Sequence, residues 1–354
     1  MKKSGGRWFT NGNWRRPVSW LLAATVLLVV AYYGLRALLA DTSAPVRLVV
    51  YAFSTQEEVF TQGIFPAFEQ QWEESTGQDV TLEGMFGGSG TLAGQINLGA
   101  PADIAIFSNA EHVDWLKIGK RVPRQAKPVI VGCTPMSIVT RPGNPFQVAE
   151  YAHLTQPGLN LLHANPHSSG AGEWAVLAEY GSALFGSNDA SVAETQLKEI
   201  WRNVQVLAPS ARAMMSLFEL GAGDVLVTYE QDAHLALERG VGLEIVLPPR
   251  TIAAQHAAVI VDDNISRAER PVAEAFLEYL LSQAGQEILN RYYLRPPDCQ
   301  GDAFPSLVEP FTVEELGGWS EAYTELVDGL WKNEIEPSLD LAPAPRLPGA
   351  GESR

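Results

Sequence analysis

The sequence predicts an α/β fold built on a mainly parallel sheet, and three observations carry that reading. Short apolar runs of strand length alternate with stretches of helical periodicity. The 354 residues are 46% apolar and 19% charged, a globular balance with length enough for two lobes. Five times, a strand-like run ends in small or hydroxyl-bearing residues that open a helix: Ser54-Thr55, Ser89-Gly90, Ser169-Gly170-Ala171, Ser210-Ala211 and Thr228-Tyr229.

Residues 46–53 form the first apolar run, and Ser54 and Thr55 after it offer N-cap chemistry. Phe60, Ile64, Phe68 and Trp72 share one face of a helix that Gly77 ends, and Pro66 inside it predicts a kink. A strand over 80–85 runs into the glycine loop Gly87-Gly88-Ser89-Gly90 and a short helix with Leu92 and Ile96. A third strand covers 102–108, and a long one covers 129–139. The strand 159–164 leads through Asn165-Pro166-His167-Ser168-Ser169-Gly170 into a helix carrying Trp174 and Leu177. A helix over 193–201, a strand over 204–207 and a helix opened by Pro209-Ser210-Ala211-Arg212 follow. Residues 224–228 form a strand that delivers Tyr229 to a helix start. Residues 252–261 are strand-like, and 268–293 read as one helix.

The N-terminus is expected to meet a membrane. Lys2, Lys3, Arg7, Arg15 and Arg16 precede an uncharged run over 17–35, and only Arg36 interrupts the stretch 17–40. That stretch can cross a bilayer as one helix of about 20 residues. The leading positive charges place the rest of the chain outside the cytoplasm. Leu38 spoils an Ala-x-Ala ending at Ala40, which favours an uncleaved anchor over a cleaved signal sequence. Residues 337–354, toward a Pro- and Gly-rich end without periodicity, read as a disordered tail. The formal net charge of −16 argues against nucleic acid as a partner. Cys133 and Cys299 fit no metal spacing, and the sequence leaves open whether they pair.

The junctions point to an anion. The first turn of a helix has unpaired N–H groups, and the helix dipole adds partial positive charge. Such an end binds an anion without a cationic side chain, and in open α/β sheets these ends converge where ligands bind. A donor-only site suits a fully deprotonated oxyanion. Monohydrogen phosphate keeps an O–H, and a buried donor without an acceptor costs about 1–3 kcal/mol.

Several stretches, in order, resemble the periplasmic sulfate-binding proteins of ABC importers. They are Glu74-Ser75-Thr76-Gly77-Gln78-Asp79-Val80, Gly87-Gly88-Ser89-Gly90, Asn165-Pro166-His167-Ser168-Ser169-Gly170, Ser210-Ala211-Arg212 and Gly223-Asp224-Val225-Leu226. Tyr279-Leu280-Leu281-Ser282-Gln283-Ala284-Gly285 and Phe311-Thr312-Val313-Glu314-Glu315-Leu316-Gly317-Gly318-Trp319 continue the series. The resemblance implies a two-lobed, type II solute-binding fold, with 45–127 plus 251–336 as one lobe and 128–250 as the other. It implies sulfate or thiosulfate held by Ser54, Ser89, Ser169, Gly170, Ala171, Ala211 and Tyr229. It further implies a non-enzymatic monomer, without metal or cofactor, that delivers its ligand to an ABC permease. The chain departs from the family at Ser54 (usually Asp), Tyr229 (usually Trp) and Glu173 (usually Arg). The first two, with Gly99-Ala100-Pro101-Ala102-Asp103-Ile104, look like the related molybdate-binding proteins, so molybdate or tungstate stands as the alternative ligand.

Other readings fit less well. Gly88-Ser89-Gly90-Thr91-Leu92-Ala93 matches a dinucleotide pattern, G-x-G-x-x-A, but follows the second strand, and no acidic residue ends the next one. Gly87-Gly88-Ser89-Gly90-Thr91 fails the hydrolase pattern G-x-S-x-G at its last position. Asn165-Pro166 between His163 and His167 breaks a helix, which argues against zinc. Arg212 is expected to pair with a carboxylate behind the site, and Glu230 and Asp232 to cap a helix or face solvent.

Overall fold

The structure, a computed structural model, describes residues 44–301 and 303–341. In chain order the strands are β1 (Val46–Phe53), β2 (Val80–Gly87), β3 (Ile104–Phe107), β4 (Val129–Thr140), β5 (Leu161–Ala164), β6 (Val204–Ala208), β7 (Val225–Tyr229), β8 (Glu244–Val246), β9 (Arg250–Ile260) and β10 (Glu309–Phe311). The helices used below are α1 (Phe65–Thr76), α2 (Ser89–Asn97), α3 (Glu111–Ile118), α4 (Gly170–Ser187), α5 (Ala190–Trp201), α6 (Ala211–Glu219), α7 (Glu230–Glu238), α8 (Arg270–Leu281) and α9 (Gln283–Arg291). The strands hydrogen-bond in the order β2-β1-β3-β9-β4-β7-β5-β6.

The expected parallel pairing holds at both ends of the sheet. β1 runs parallel to β2 and β3, and β5 runs parallel to β6 and β7. Leu48, Val50, Tyr51, Ala52 and Phe53 are all buried, so β1 is covered on both faces, as a parallel strand flanked by helices must be. Between the two ends, β4 and β9 pair antiparallel through Val129↔Ala258 to Pro135↔Ala253. They also pair antiparallel with their outer neighbours, β7 and β3. The chain therefore passes between a β2-β1-β3 half and a β7-β5-β6 half along β4 and β9, and again before β10, whose Phe311 packs on Phe185.

Pro66 is the second residue of α1, which continues without a break from a π turn, Phe60–Ile64, so the helix is irregular just before the proline, as expected. Gly77 ends α1 in the left-handed region at φ 70°. Several expectations are corrected. The single helix expected over 268–293 is two, α8 and α9. Ser282 breaks it in extended geometry and accepts the Gly285 N–H at 3.1 Å. Elements beyond those expected include α3, the short strands β8 and β10, and a π-helical stretch, Tyr323–Ile335. Glu336–Ser338 form a 3-10 turn at the start of the expected tail, and the rest of that tail from 342 lies outside the described residues. The expected membrane segment 17–40 also lies outside them; among the described residues no helix is long and apolar enough to cross a membrane. Cys133 on β4 is disulfide-bonded to Cys299, with Cα atoms 5.1 Å apart.

Candidate functional site

The C-terminal ends of the strands of both halves face one another, and the helices that follow them start at the same place. Gly88, Ser169, Ser210 and Tyr229 are the N-cap residues of α2, α4, α6 and α7. A small cavity lies between these starts; with the open solvent at its mouth it has about 150 Å³ of atom-free space. All seven sequence-expected residues line it: Ser54 and Ser89 from one half, and Ser169, Gly170, Ala171, Ala211 and Tyr229 from the other. Phe53, Gly87, Gly88 and Ser108 complete the lining, so no Lys, Arg, Asp or Glu borders the space.

The local chemistry explains which groups remain for a ligand. In α4 the first intrahelical bond runs from Gly172 N–H to Ser169 O at 2.9 Å, so the N–H groups of Gly170 and Ala171 precede it. In α6 the Ser210 hydroxyl accepts the Ala213 N–H at 3.2 Å, and the Met214 N–H bonds Ser210 O at 3.0 Å. That leaves the Ala211 N–H at the cavity and commits Ser210 to its own helix. Neither Gly88 nor Ser169 caps its helix through a side chain. The Tyr229 hydroxyl is buried without a hydrogen-bond partner among the described residues. Burial pushes its pKa well above the ordinary value, with Ser108 nearby offsetting part of the rise. Tyr229 is thus a neutral O–H beside Ser108 in the cavity lining.

Ser108 is the lining residue that sequence reasoning missed. Its N–H donates to the Ser89 hydroxyl at 3.0 Å, and its carbonyl accepts from Trp174 Nε1 at 2.7 Å. The second bond crosses between the halves. Its signal was a hydroxyl at a strand end, the same as at the other junctions, but no helix was read after it. Glu173 lies in the first turn of α4, fully buried. Its Oε2 accepts from Asn109 Nδ2 at 2.5 Å, and its Oε1 is 3.3 Å from His112 Nε2. The halves also meet through Thr91 N–H to Ser168 O at 3.1 Å and Gln56 Nε2 to Gln231 Oε1 at 2.7 Å. Ser54, Ser89, Ser169, Ala171, Ala211 and Tyr229 around the cavity are each at most 6% exposed, so little of it is left open.

Other expected residues stand nearby. Arg212 pairs with Glu57 at 3.4 Å, outside the cavity. His167 is exposed and bonds Glu336 at 2.9 Å. Glu230 and Asp232 are corrected, because both are buried. Glu230 takes Arg295 through two bonds of 2.8 Å, and Asp232 accepts the Thr228 hydroxyl at 3.1 Å. Lacking a formal partner, Asp232 is pushed up by burial to a pKa of about 6. A carboxyl whose folded pKa is raised supplies stability below its unfolded value, and loses it as pH climbs through the folded value. For Asp232 that window runs from about 4 to about 6. Asp232→Asn is therefore expected to raise stability at pH 7.5 by about 1–2 kcal/mol, with no gain at pH 4. Denaturant melts at the two pH values check this, and a loss of stability at pH 7.5 would contradict it.

The fold is that of a periplasmic binding protein. The sulfate-binding protein SubI from Mycobacterium tuberculosis superposes with a TM-score of 0.73 at 24% identity, covering 79% of this chain and 99% of that one. Residues 48–295 match the family model described as bacterial extracellular solute-binding protein, and the chain belongs to that family. It is 35% identical to a sulfate-binding protein of Escherichia coli over 317 residues, covering 82% of this chain and 94% of that protein. It is 31% identical to a thiosulfate-binding protein of Pseudomonas aeruginosa, covering 75% of this chain and 84% of that protein.

Proposed function

We propose that this chain captures sulfate or thiosulfate outside the cytoplasm and delivers it to an ABC importer, without catalysing a reaction. The observation that carries the proposal is the cavity between helix starts, lined by hydroxyls and backbone N–H groups and by no charged side chain. Ser54, Ser89, Ser169 and Tyr229 supply hydroxyls, and Gly170, Ala171 and Ala211 supply backbone. With no carboxylate in the lining, a protonated oxyanion finds no strong acceptor for its O–H. The resulting preference over phosphate is about tenfold to a hundredfold or more.

Residues 45–127 with 251–308 and residues 128–250 with 309–336 act as lobes that part to admit the ligand, since Trp319, Trp331 and Glu334 meet Trp174, Trp201 and Lys198 and move with them. β4 and β9 are crossing strands. The stretch 17–40 anchors the chain, which works as a monomer beside its permease. Calorimetry with sulfate, thiosulfate, molybdate, tungstate and phosphate tests the proposal. Micromolar or tighter binding of sulfate or thiosulfate, and no response to phosphate, is expected. Preference for molybdate would move the ligand assignment, and no heat with any tetrahedral oxyanion would overturn the function.

A further inference from the structure

The pole of the molecule opposite the cavity carries a surface that the capture of an anion does not use. α2 and α3 both start at the cavity side of the β2-β1-β3 half and end at this pole. There Asn97 Nδ2 donates to Trp115 O at 3.2 Å, and Arg121 donates to Asn97 O at 2.8 Å, so the two helix ends pack side by side. Each end presents an aliphatic side chain to solvent: Leu98 is 90% exposed and Ile118 is 79% exposed. Leu98 is the most exposed large apolar residue among those described.

Four cations stand beside this pair on one side, in a chain of net charge −16. Lys117, Lys120, Arg121 and Arg124 border one depression there, against two carboxylates, Asp262 and Asp263. Lys117 pairs with Asp114 and Arg121 with Asp263, while Lys120 and Arg124 are exposed and enter no ion pair among the described residues. Lys120 holds this place at φ 61°, a left-handed position after a helix that ordinarily favours glycine.

The chain enters the fold at the same pole. The start of β1, at Val46, lies beside the start of β2, at Val80, and the Gln78 side chain bonds Ala44 O at 2.9 Å. Only residues 41–45 separate Val46 from the stretch 17–40. Such a link spans at most about 20 Å. If 17–40 crosses the bilayer, this pole is held within that distance of the lipid headgroups. Exposed aliphatics beside Lys and Arg are the chemistry that seats a protein on an anionic lipid surface.

We infer that Leu98, Ile118, Lys120 and Arg124 form a membrane-facing surface that docks this lobe on anionic headgroups and orients the anchored protein. The inference rests on the reading of 17–40 as an anchor. Its test uses the full chain with Ile118→Cys or, as a control on the other half, Leu220→Cys, which replaces a residue 85% exposed. Because Cys133 and Cys299 are bonded to each other, an environment-sensitive fluorophore labels the new thiol. The chain is mixed with vesicles of phosphatidylcholine alone or with phosphatidylglycerol, and flotation is measured with the fluorescence.

The Ile118 label is expected to shift to the blue and meet lipid-borne quenchers in the anionic vesicles, while the Leu220 label does neither. Combined Lys120→Glu and Arg124→Glu should weaken that response by roughly tenfold or more. Flotation with neutral vesicles reads the anchor alone. A chain that floats with both lipids while its Ile118 label stays as aqueous as Leu220's refutes the surface and leaves the anchor standing. Flotation with anionic vesicles alone supports the surface and refutes the anchor, and flotation with neither overturns both. A response that requires an ABC permease in the vesicle assigns the surface to a protein and overturns the lipid reading.

Discussion

A chain carrying Ser89→Asp is expected to lose sulfate affinity by more than about a thousandfold while folding normally. Ser89 is 1% exposed and lines the cavity at the first position of α2. A carboxylate there meets a dianion at contact distance. At about 4 Å and an effective dielectric near 20, each pair of unit charges repels by about 4 kcal/mol. The same carboxylate suits the start of α2, where the helix dipole favours negative charge, so the fold should tolerate it. Calorimetry reads the affinity, and the melting temperature of the ligand-free protein reads the fold. Retained sulfate affinity would remove Ser89, and with it this cavity, from the account.

Gly88→Ala is the second large effect, and it acts on closure. A Cβ at Gly88 would lie 2.2 Å from Ser168 O and 2.6 Å from Pro209 O. Both oxygens are backbone atoms of the opposite half, so neither can swing aside as a side chain would. Gly88 itself has φ −66° and ψ 135°, an ordinary conformation for any residue. The substitution should therefore spare each half and oppose only their meeting. Affinity is expected to fall by about tenfold to a hundredfold, with little change in the ligand-free melting temperature. Unchanged affinity would mean that the ligand is held without the closure seen here.

What the sequence revealed of the site depends on how local its chemistry is. Ser89, Ser169, Ala211 and Tyr229 stand at strand-to-helix turns, and such a turn shows in a few consecutive residues. Ser108 follows a strand too, but α3 starts only at Glu111, so no strand-to-helix turn shows in consecutive residues there. Long-range partners were invisible. Glu230 was expected to cap a helix or face solvent because it is charged, whereas Arg295, 65 residues on, takes it into the interior. Cys133 and Cys299 are 166 residues apart, and only the fold brings them together. The break at Ser282 illustrates a third limit, since apolar spacing on both sides continues one helical face and hides a cap within it. The π-helical stretch Tyr323–Ile335 departs from the 3.6-residue period by which helices are read.

The departures at Ser54, Glu173 and Tyr229 change individual donors and leave the logic of the site intact. Tyr229 keeps an O–H for the ligand, and Ser54, 6% exposed, adds a hydroxyl opposite Ala211. Glu173 puts a buried carboxylate behind α4's first turn, held by Asn109 from the other half. It joins the halves without lining the cavity.

The central claim is that one dehydrated oxyanion sits among these helix starts, held by neutral donors. A crystal structure with selenate, an anomalous scatterer of sulfate's shape, tests it most directly. The account predicts one selenium peak between Ser89, Ser169 and Tyr229, with the N–H groups of Gly170, Ala171 and Ala211 on its oxygens and no cation in contact. A closed protein with selenate bound elsewhere and this cavity empty would contradict it.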